Sequence, residues 1–83
     1  MKLELMKVGE RLSLEMDPES WAAVRALIRR TCPDMTTRMS GIVTWVSFAG
    51  CEFICENEWD DPYLLAETAE GDELLRSIRE KLR

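Results

Sequence analysis

The chain has 83 residues, with 11 Lys and Arg against 16 Asp and Glu, and it contains no histidine. A chain of this length supports one hydrophobic core, so we expect a single small domain over residues 1–83. The absence of histidine excludes Ser-His-Asp and Cys-His catalytic systems and zinc sites that use histidine. We therefore expect no catalytic residue, no metal and no cofactor.

The net charge of −5 and the isoelectric point near 4.7 argue against direct binding to nucleic acid or to an anionic membrane, because both need Lys and Arg. The apolar runs are too short to span a bilayer. Cysteine occurs three times, and an odd number fits a reducing compartment better than a disulfide scaffold. We expect a cytoplasmic protein.

Residues 1–16 predict a β-hairpin with Val8 and Gly9 as its two-residue loop. In this register Lys7 faces Glu10, and one face of the hairpin is apolar while the other is mostly polar. The pairs expected on the apolar face are Leu5–Leu12, Leu3–Leu14 and Met1–Met16.

The next segment predicts an amphipathic helix. Asp17 is a good N-cap, Pro18 suits the first helical position, and Pro33 marks the end. An apolar stripe follows helical spacing at Trp21, Val24, Leu27 and Ile28. Residues 32–40 are expected to form a loop, with Met35 and Met39 capping the edge of the core.

Residues 41–57 predict a second hairpin around Ala49 and Gly50. The better core face carries Val46, Phe48, Cys51, Phe53 and Cys55. The opposite face still holds apolar side chains at Val43, Trp45 and Ile54. Such a cluster is unusual on a solvent face, so we expect it to be covered within the chain or presented to a partner, with a second copy in a homodimer as one candidate.

Residues 63–68 fit two structures. Their alternation favours a short fifth strand, and the rival is a helix that starts after Asp61 and ends at Gly71. The final segment predicts a helix with Asp72 as its N-cap. The predicted order is ββαββ(β)α, an α+β fold in which two antiparallel hairpins, with four to five strands in all, have two helices packed on one face.

Charge is concentrated in the second part of the sequence. Residues 1–50 carry a net charge of +1, whereas residues 51–83 carry −6. Nine acids and no Lys or Arg lie between Glu52 and Glu73. A dense row of carboxylates suits a basic protein partner, and it can imitate the phosphates of a nucleic acid. The residues expected to bind this partner are Glu56, Glu58, Trp59, Asp60, Asp61, Tyr63, Glu67 and Glu70.

The leading hypothesis is a non-catalytic binding protein, an inhibitor or regulator that docks its acidic surface on a basic, nucleic-acid-binding protein. Anti-CRISPR, anti-restriction and immunity or antitoxin proteins act in this way, and the analogy is one of size and charge. The alternative is a homo-oligomeric structural or regulatory domain that uses the Val43, Trp45 and Ile54 face. A more remote alternative is a small enzyme that depends on carboxylates or on the thiol of Cys32.

Overall fold

The computed structural model describes residues 2–41, 43–56 and 62–82, without the side chain of Glu56. Six strands and two helices follow one another in the order ββαββββα. Their bounds are β1 Leu3–Val8, β2 Arg11–Met16, α1 Pro18–Thr31, β3 Thr36–Ser40, β4 Val43–Phe48, β5 Cys51–Glu56, β6 Tyr63–Ala66 and α2 Ala69–Leu82. The predicted α+β class is confirmed, with more strands than the four to five expected.

All six strands form one antiparallel sheet in the order β1-β2-β6-β5-β4-β3. The strand β6 lies between the two hairpins and pairs with both β2 and β5. The strand interpretation of residues 63–68 is therefore confirmed, although the strand ends at Ala66, and the helical alternative is wrong. Without β6 the sheet would divide into a two-stranded hairpin, β1–β2, and a three-stranded unit, β3–β4–β5, and an isolated hairpin has little stability alone.

Both helices pack on one face of this sheet and complete a single core. Phe53 is fully buried at its centre and stacks on Phe48, with ring centroids 4.5 Å apart. The predicted core face of the second hairpin is confirmed. The buried apolar residues are Leu14, Met16, Val24, Leu27, Ile28, Val46, Phe48, Cys51, Phe53, Cys55, Leu64, Ala66, Leu75 and Ile78.

The first hairpin forms, but its predicted register is wrong. Its loop is Gly9-Glu10, so Val8 pairs with Arg11 and Lys7 with Leu12. The positive φ of Gly9, 62°, falls at the first loop position, where a type II′ turn takes glycine. This turn decides the register, because moving the loop by one residue keeps every leucine of the hairpin on its face. The apolar pairs become Leu5–Leu14 and Leu3–Met16.

The second hairpin has the predicted register. Five pairs run from Phe48–Cys51 to Thr44–Cys55. Ala49 and Gly50 both have positive φ, 53° and 77°, as a type I′ turn requires. The predicted pair of residues 42 and 57 lies outside the described residues.

The strand β3 is a correction to the loop expected over residues 32–40. It pairs along its whole length with β4 and forms one edge of the sheet. All five of its residues are exposed, so they show no alternation that a sequence pattern would reveal. Met35 packs against the core edge as expected, whereas Met39 is 77% exposed and does not.

The start of α1 is as predicted. The Asp17 carboxylate accepts hydrogen bonds from the backbone N–H of Ser20 at 2.7 Å and from that of Lys2 at 3.0 Å. The nearby Ser20 hydroxyl and then these N–H groups lower the pKa of Asp17 from 3.8 to about 2. Of the two Ser20 groups, only the N–H has hydrogen-bond geometry towards the carboxylate.

This lowered pKa predicts a dependence of stability on acid. The ionised carboxylate binds the N–H donors only in the folded chain, so its contribution is complete above pH 3.8 and is lost as the pH falls towards 2. We expect urea unfolding midpoints to drop more between about pH 5 and pH 2.5 in the wild type than in Asp17→Asn, which keeps a capping oxygen but does not titrate. Equal drops would contradict this assignment.

The start of α2 differs from the prediction. The helix begins at Ala69, and Thr68 accepts a hydrogen bond from the N–H of Gly71 at 3.0 Å. Position 71 lies inside the helix and packs closely on the core. A Cβ there would lie 3.2 Å from the Ala66 side chain and 3.3 Å from the Phe53 ring, which explains why glycine occupies it. Asp72 is not an N-cap. Its carboxylate is buried, accepts from the N–H of Leu12 at 2.8 Å and lies 3.6 Å from Arg11.

Asp72 therefore ties α2 to β2, and its removal should destabilise the protein. In Asp72→Ala the N–H of Leu12 loses its partner in a partly buried place, which costs about 1–3 kcal/mol. Asp72→Asn keeps an acceptor oxygen and should lose less. The matched control is Glu70→Ala, an exposed acid of the same helix. Urea denaturation measures all three, and an Asp72→Ala loss no larger than that of Glu70→Ala would contradict the tie.

Candidate interaction surface

The face of the sheet that points away from both helices carries one row of side chains across all six strands. The pairings Arg38–Trp45, Trp45–Ile54, Ile54–Leu65, Leu65–Ser13 and Ser13–Met6 join edge to edge. We call this face the open face. Because side chains alternate along a strand, the neighbouring row on the same face contains Tyr63, Glu15 and Glu4.

The middle of the open face is apolar. Trp45, Ile54 and Leu65 are adjacent in the row and half-buried, and Val43 and Tyr63 lie one row away with similar exposure. Neither helix covers them, since both pack on the opposite face. The apolar cluster predicted from the sequence at Val43, Trp45 and Ile54 thus lies on the sheet face that neither helix covers. A contiguous apolar patch of this kind is typical of a binding surface.

One end of the row is basic. The Arg38 guanidinium lies over the Trp45 ring, 5.6 Å from its centroid, and 3.8 Å from the Glu52 carboxylate. Both members of the ion pair are largely exposed, so it contributes little to stability. The stacked guanidinium does restrict Trp45, and a restrained aromatic ring loses less entropy when a partner binds.

The other end is acidic. Glu4 faces Glu15 directly across β1 and β2, and Tyr63 is the next residue in that row. Two carboxylates in directly opposed positions repel each other. Glu15 accepts a hydrogen bond from the Ser13 hydroxyl at 2.6 Å, which fixes its position in the row. In the part of the chain that the structure describes, neither Glu4 nor Glu15 has a cationic partner.

Only some of the predicted partner-binding residues lie in the described part of the chain. Tyr63 pairs with both Glu56 and Glu15, so it joins the acidic stretch to the open face. Glu67 and Glu70 are exposed where β6 leads into α2. The predictions for Glu58, Trp59, Asp60 and Asp61 lie outside the described residues.

Metal binding and membrane insertion can be assessed for residues 2–41, 43–56 and 62–82. They contain no cluster of three or more acidic or cysteine side chains placed to hold a metal ion. No helix among them is long and apolar enough to cross a bilayer. Cys32 is half-buried at the end of α1.

No known protein family, curated protein or solved structure matches this chain.

Leu65, Glu4 and Glu15 were not assigned to a binding surface from the sequence. Their alternation with core leucines was visible in the sequence, but their proximity depends on β6 lying beside β2. Glu4 and Leu65 are far apart in the chain, and no local pattern predicts which strands become neighbours.

The Glu4–Glu15 repulsion can be tested by stability. Glu4→Lys replaces a like-charged pair with an opposite-charged one, so we expect the free energy of unfolding to rise by about 0.2–1 kcal/mol. Glu10→Lys makes the same charge change in the exposed loop of that hairpin and is the control. An equal rise in both variants would show only the benefit of lower net charge.

Proposed function

We propose that this chain is a non-catalytic protein-binding domain that docks its open face on a basic partner protein. The observation that carries the proposal is the apolar row that neither helix covers, with two carboxylates at one end that have no cationic partner among the described residues. The apolar centre at Trp45, Ile54 and Leu65 supplies contact area, and Glu4 and Glu15 select for Lys and Arg.

Electrostatics favours a cationic partner. Arg38, in the row itself, already faces Glu52, and Arg11, on the same strand face, is beside Asp72. The repulsion between Glu4 and Glu15 is relieved when a Lys or Arg of the partner lies between them. A binding site that is unfavourable in the unbound protein is a common cost of function.

The size of the face suggests that the acidic stretch takes part as well. Six strands about 4.8 Å apart and about 20 Å long offer roughly 500 Å² of flat area. A standard interface buries about 800 Å² on each partner. Tyr63 leads from the open face into the stretch that ends at Glu67 and Glu70. We therefore keep Glu56, Glu58, Trp59, Asp60 and Asp61 among the proposed partner-binding residues, because they belong to the same acidic stretch of the sequence.

A small acidic domain with this layout suits inhibition of a nucleic-acid-binding protein, where carboxylates occupy the places of phosphates. Anti-CRISPR, anti-restriction and antitoxin proteins provide the analogy of size and charge. The proposal places such a protein in the cytoplasm, where it acts without a cofactor.

The alternative partner is a second copy of the chain. The open face is basic at Arg38 and acidic at Glu4 and Glu15, so a two-fold axis parallel to the strands brings opposite charges together. The same axis places Ile54 against Leu65 of the other copy. Sedimentation of the purified chain at micromolar concentration distinguishes the two hypotheses, because a homodimer forms without another protein.

The proposal is tested by affinity capture at low and high salt with mass-spectrometric identification, followed by titration of the identified protein in purified form. We expect binding to weaken steeply with salt. Trp45→Ala should weaken it about tenfold or more, as loss of a central aromatic anchor does. The double variant Glu4→Lys, Glu15→Lys keeps the like-charge repulsion within the pair and should abolish recognition of a basic surface.

The control for the charge reversals is Glu10→Lys, in the hairpin loop, which should bind as the wild type does. A second set, with Glu58, Asp60 and Asp61 changed to Lys, tests the acidic stretch separately. Binding that survives both sets of reversals and Trp45→Ala would remove the proposal.

A further inference from the structure

We propose that a groove on the helical side of the sheet binds a small organic anion that has an aromatic or apolar body. The groove lies between α1 and the strands β3 and β4, on the opposite side of the sheet from the open face. Its volume is about 190 Å³. This site is independent of the proposed docking surface and shares no residue with it.

The floor and walls of the groove are mainly apolar. Val46 and Cys55 form the floor on β4 and β5, Trp21 forms the wall on α1, and Met35 and Met39 lie at the β3 side. Methionine side chains are flexible, so they adapt to the outline of a bound ring. Thr37 and Thr44 also line the groove, and a threonine hydroxyl can donate a hydrogen bond to a ligand or accept one.

The groove also has a basic rim. Trp21, Arg25 and Arg29 follow one another at four-residue spacing, which places them on one face of α1. The Arg25 guanidinium lies 5.8 Å from the centroid of the Trp21 ring. Both arginines are exposed, and neither has a carboxylate partner among the residues that the structure describes.

The two arginines determine the charge of the ligand. A guanidinium presents its N–H donors in a fork that matches a carboxylate or phosphate, and it also stacks on flat rings. With an anion at Arg25 and Arg29, the body of the ligand extends over Trp21 towards Val46. A protein with a net charge of −5 attracts anions poorly at long range, so recognition depends on these local donors.

The volume determines the size of the ligand. Pockets for drug-sized molecules measure about 300–1,000 Å³, and this groove is smaller. One aromatic ring with a single carboxylate or phosphate fills it. The groove forms because α1 packs towards β2 and α2. No helix therefore lies above the β3 and β4 end of the core face in the described part of the chain.

The experiment is a titration of the ¹⁵N-labelled full chain, followed by NMR, with benzoate and phenyl phosphate as probes. We expect saturable shifts at the Trp21 indole N–H and at the backbone of Thr37 and Thr44, with a dissociation constant below about 1 mM. Benzyl alcohol and benzylamine have the same ring without the negative charge and should bind at least fivefold more weakly. Inorganic phosphate has the charge without the ring and should also bind more weakly.

Three variants locate the site. Arg25→Gln and Arg29→Gln should each weaken benzoate binding roughly fivefold, since each removes one charged donor. Arg30→Gln is the matched control, because Arg30 is exposed on the same helix but does not line the groove. Thr37→Trp fills the groove from an exposed strand position and should abolish the shifts while circular dichroism stays unchanged.

Several results would overturn the inference. Equal affinity for benzyl alcohol would mean that the arginines do not select the ligand. An equal loss in Arg30→Gln would mean a general charge effect rather than a site. Unchanged binding in Thr37→Trp, or the absence of saturable shifts with both anionic probes, would place any binding outside the groove or exclude it.

Discussion

The two helices together are narrower than the six-stranded sheet. This difference in width determines which parts of the sheet the helices cover. The sheet is about 24 Å wide, whereas two helices side by side cover roughly 20 Å. The apolar sides of both helices therefore pack on one face of the sheet, around Phe53 and Leu14. The arrangement depends on β6, which brings the two hairpins into one sheet and gives both helices a common surface.

Both candidate binding surfaces follow from that incomplete cover. The open face exists because no helix is left for it, and the groove exists because α1 and α2 contact each other and leave β3 and β4 at the side. The Asp72 carboxylate fixes this placement, since it joins the first turns of α2 to β2 through the N–H of Leu12. If α2 moved along the sheet to cover the groove, that partly buried hydrogen bond would be lost.

The sequence was sufficient wherever a local signal and burial agree. Asp17 with Pro18, and Ala49 with Gly50, predicted a helix start and a turn that the structure confirms. It failed where long-range packing decides. The strand β3 has no buried face to give it a pattern, and Asp72 resembles an N-cap although tertiary contacts use its carboxylate. The open face was predicted in part, because strand order cannot be deduced from alternation alone.

Net charge is a poor guide to what such a small protein binds. The carboxylates that face each other at Glu4 and Glu15 come from the nearly neutral part of the sequence, as do the arginines of the groove, Arg25 and Arg29. The layers of a sheet and its helices are about 10 Å apart, and salt at physiological strength screens exposed charges over about 8 Å. The carboxylates of Glu4 and Glu15 on the open face and the guanidinium groups of Arg25 and Arg29 at the groove therefore act largely separately. The proposed cationic partner and the proposed small anion would therefore not compete for the same charges.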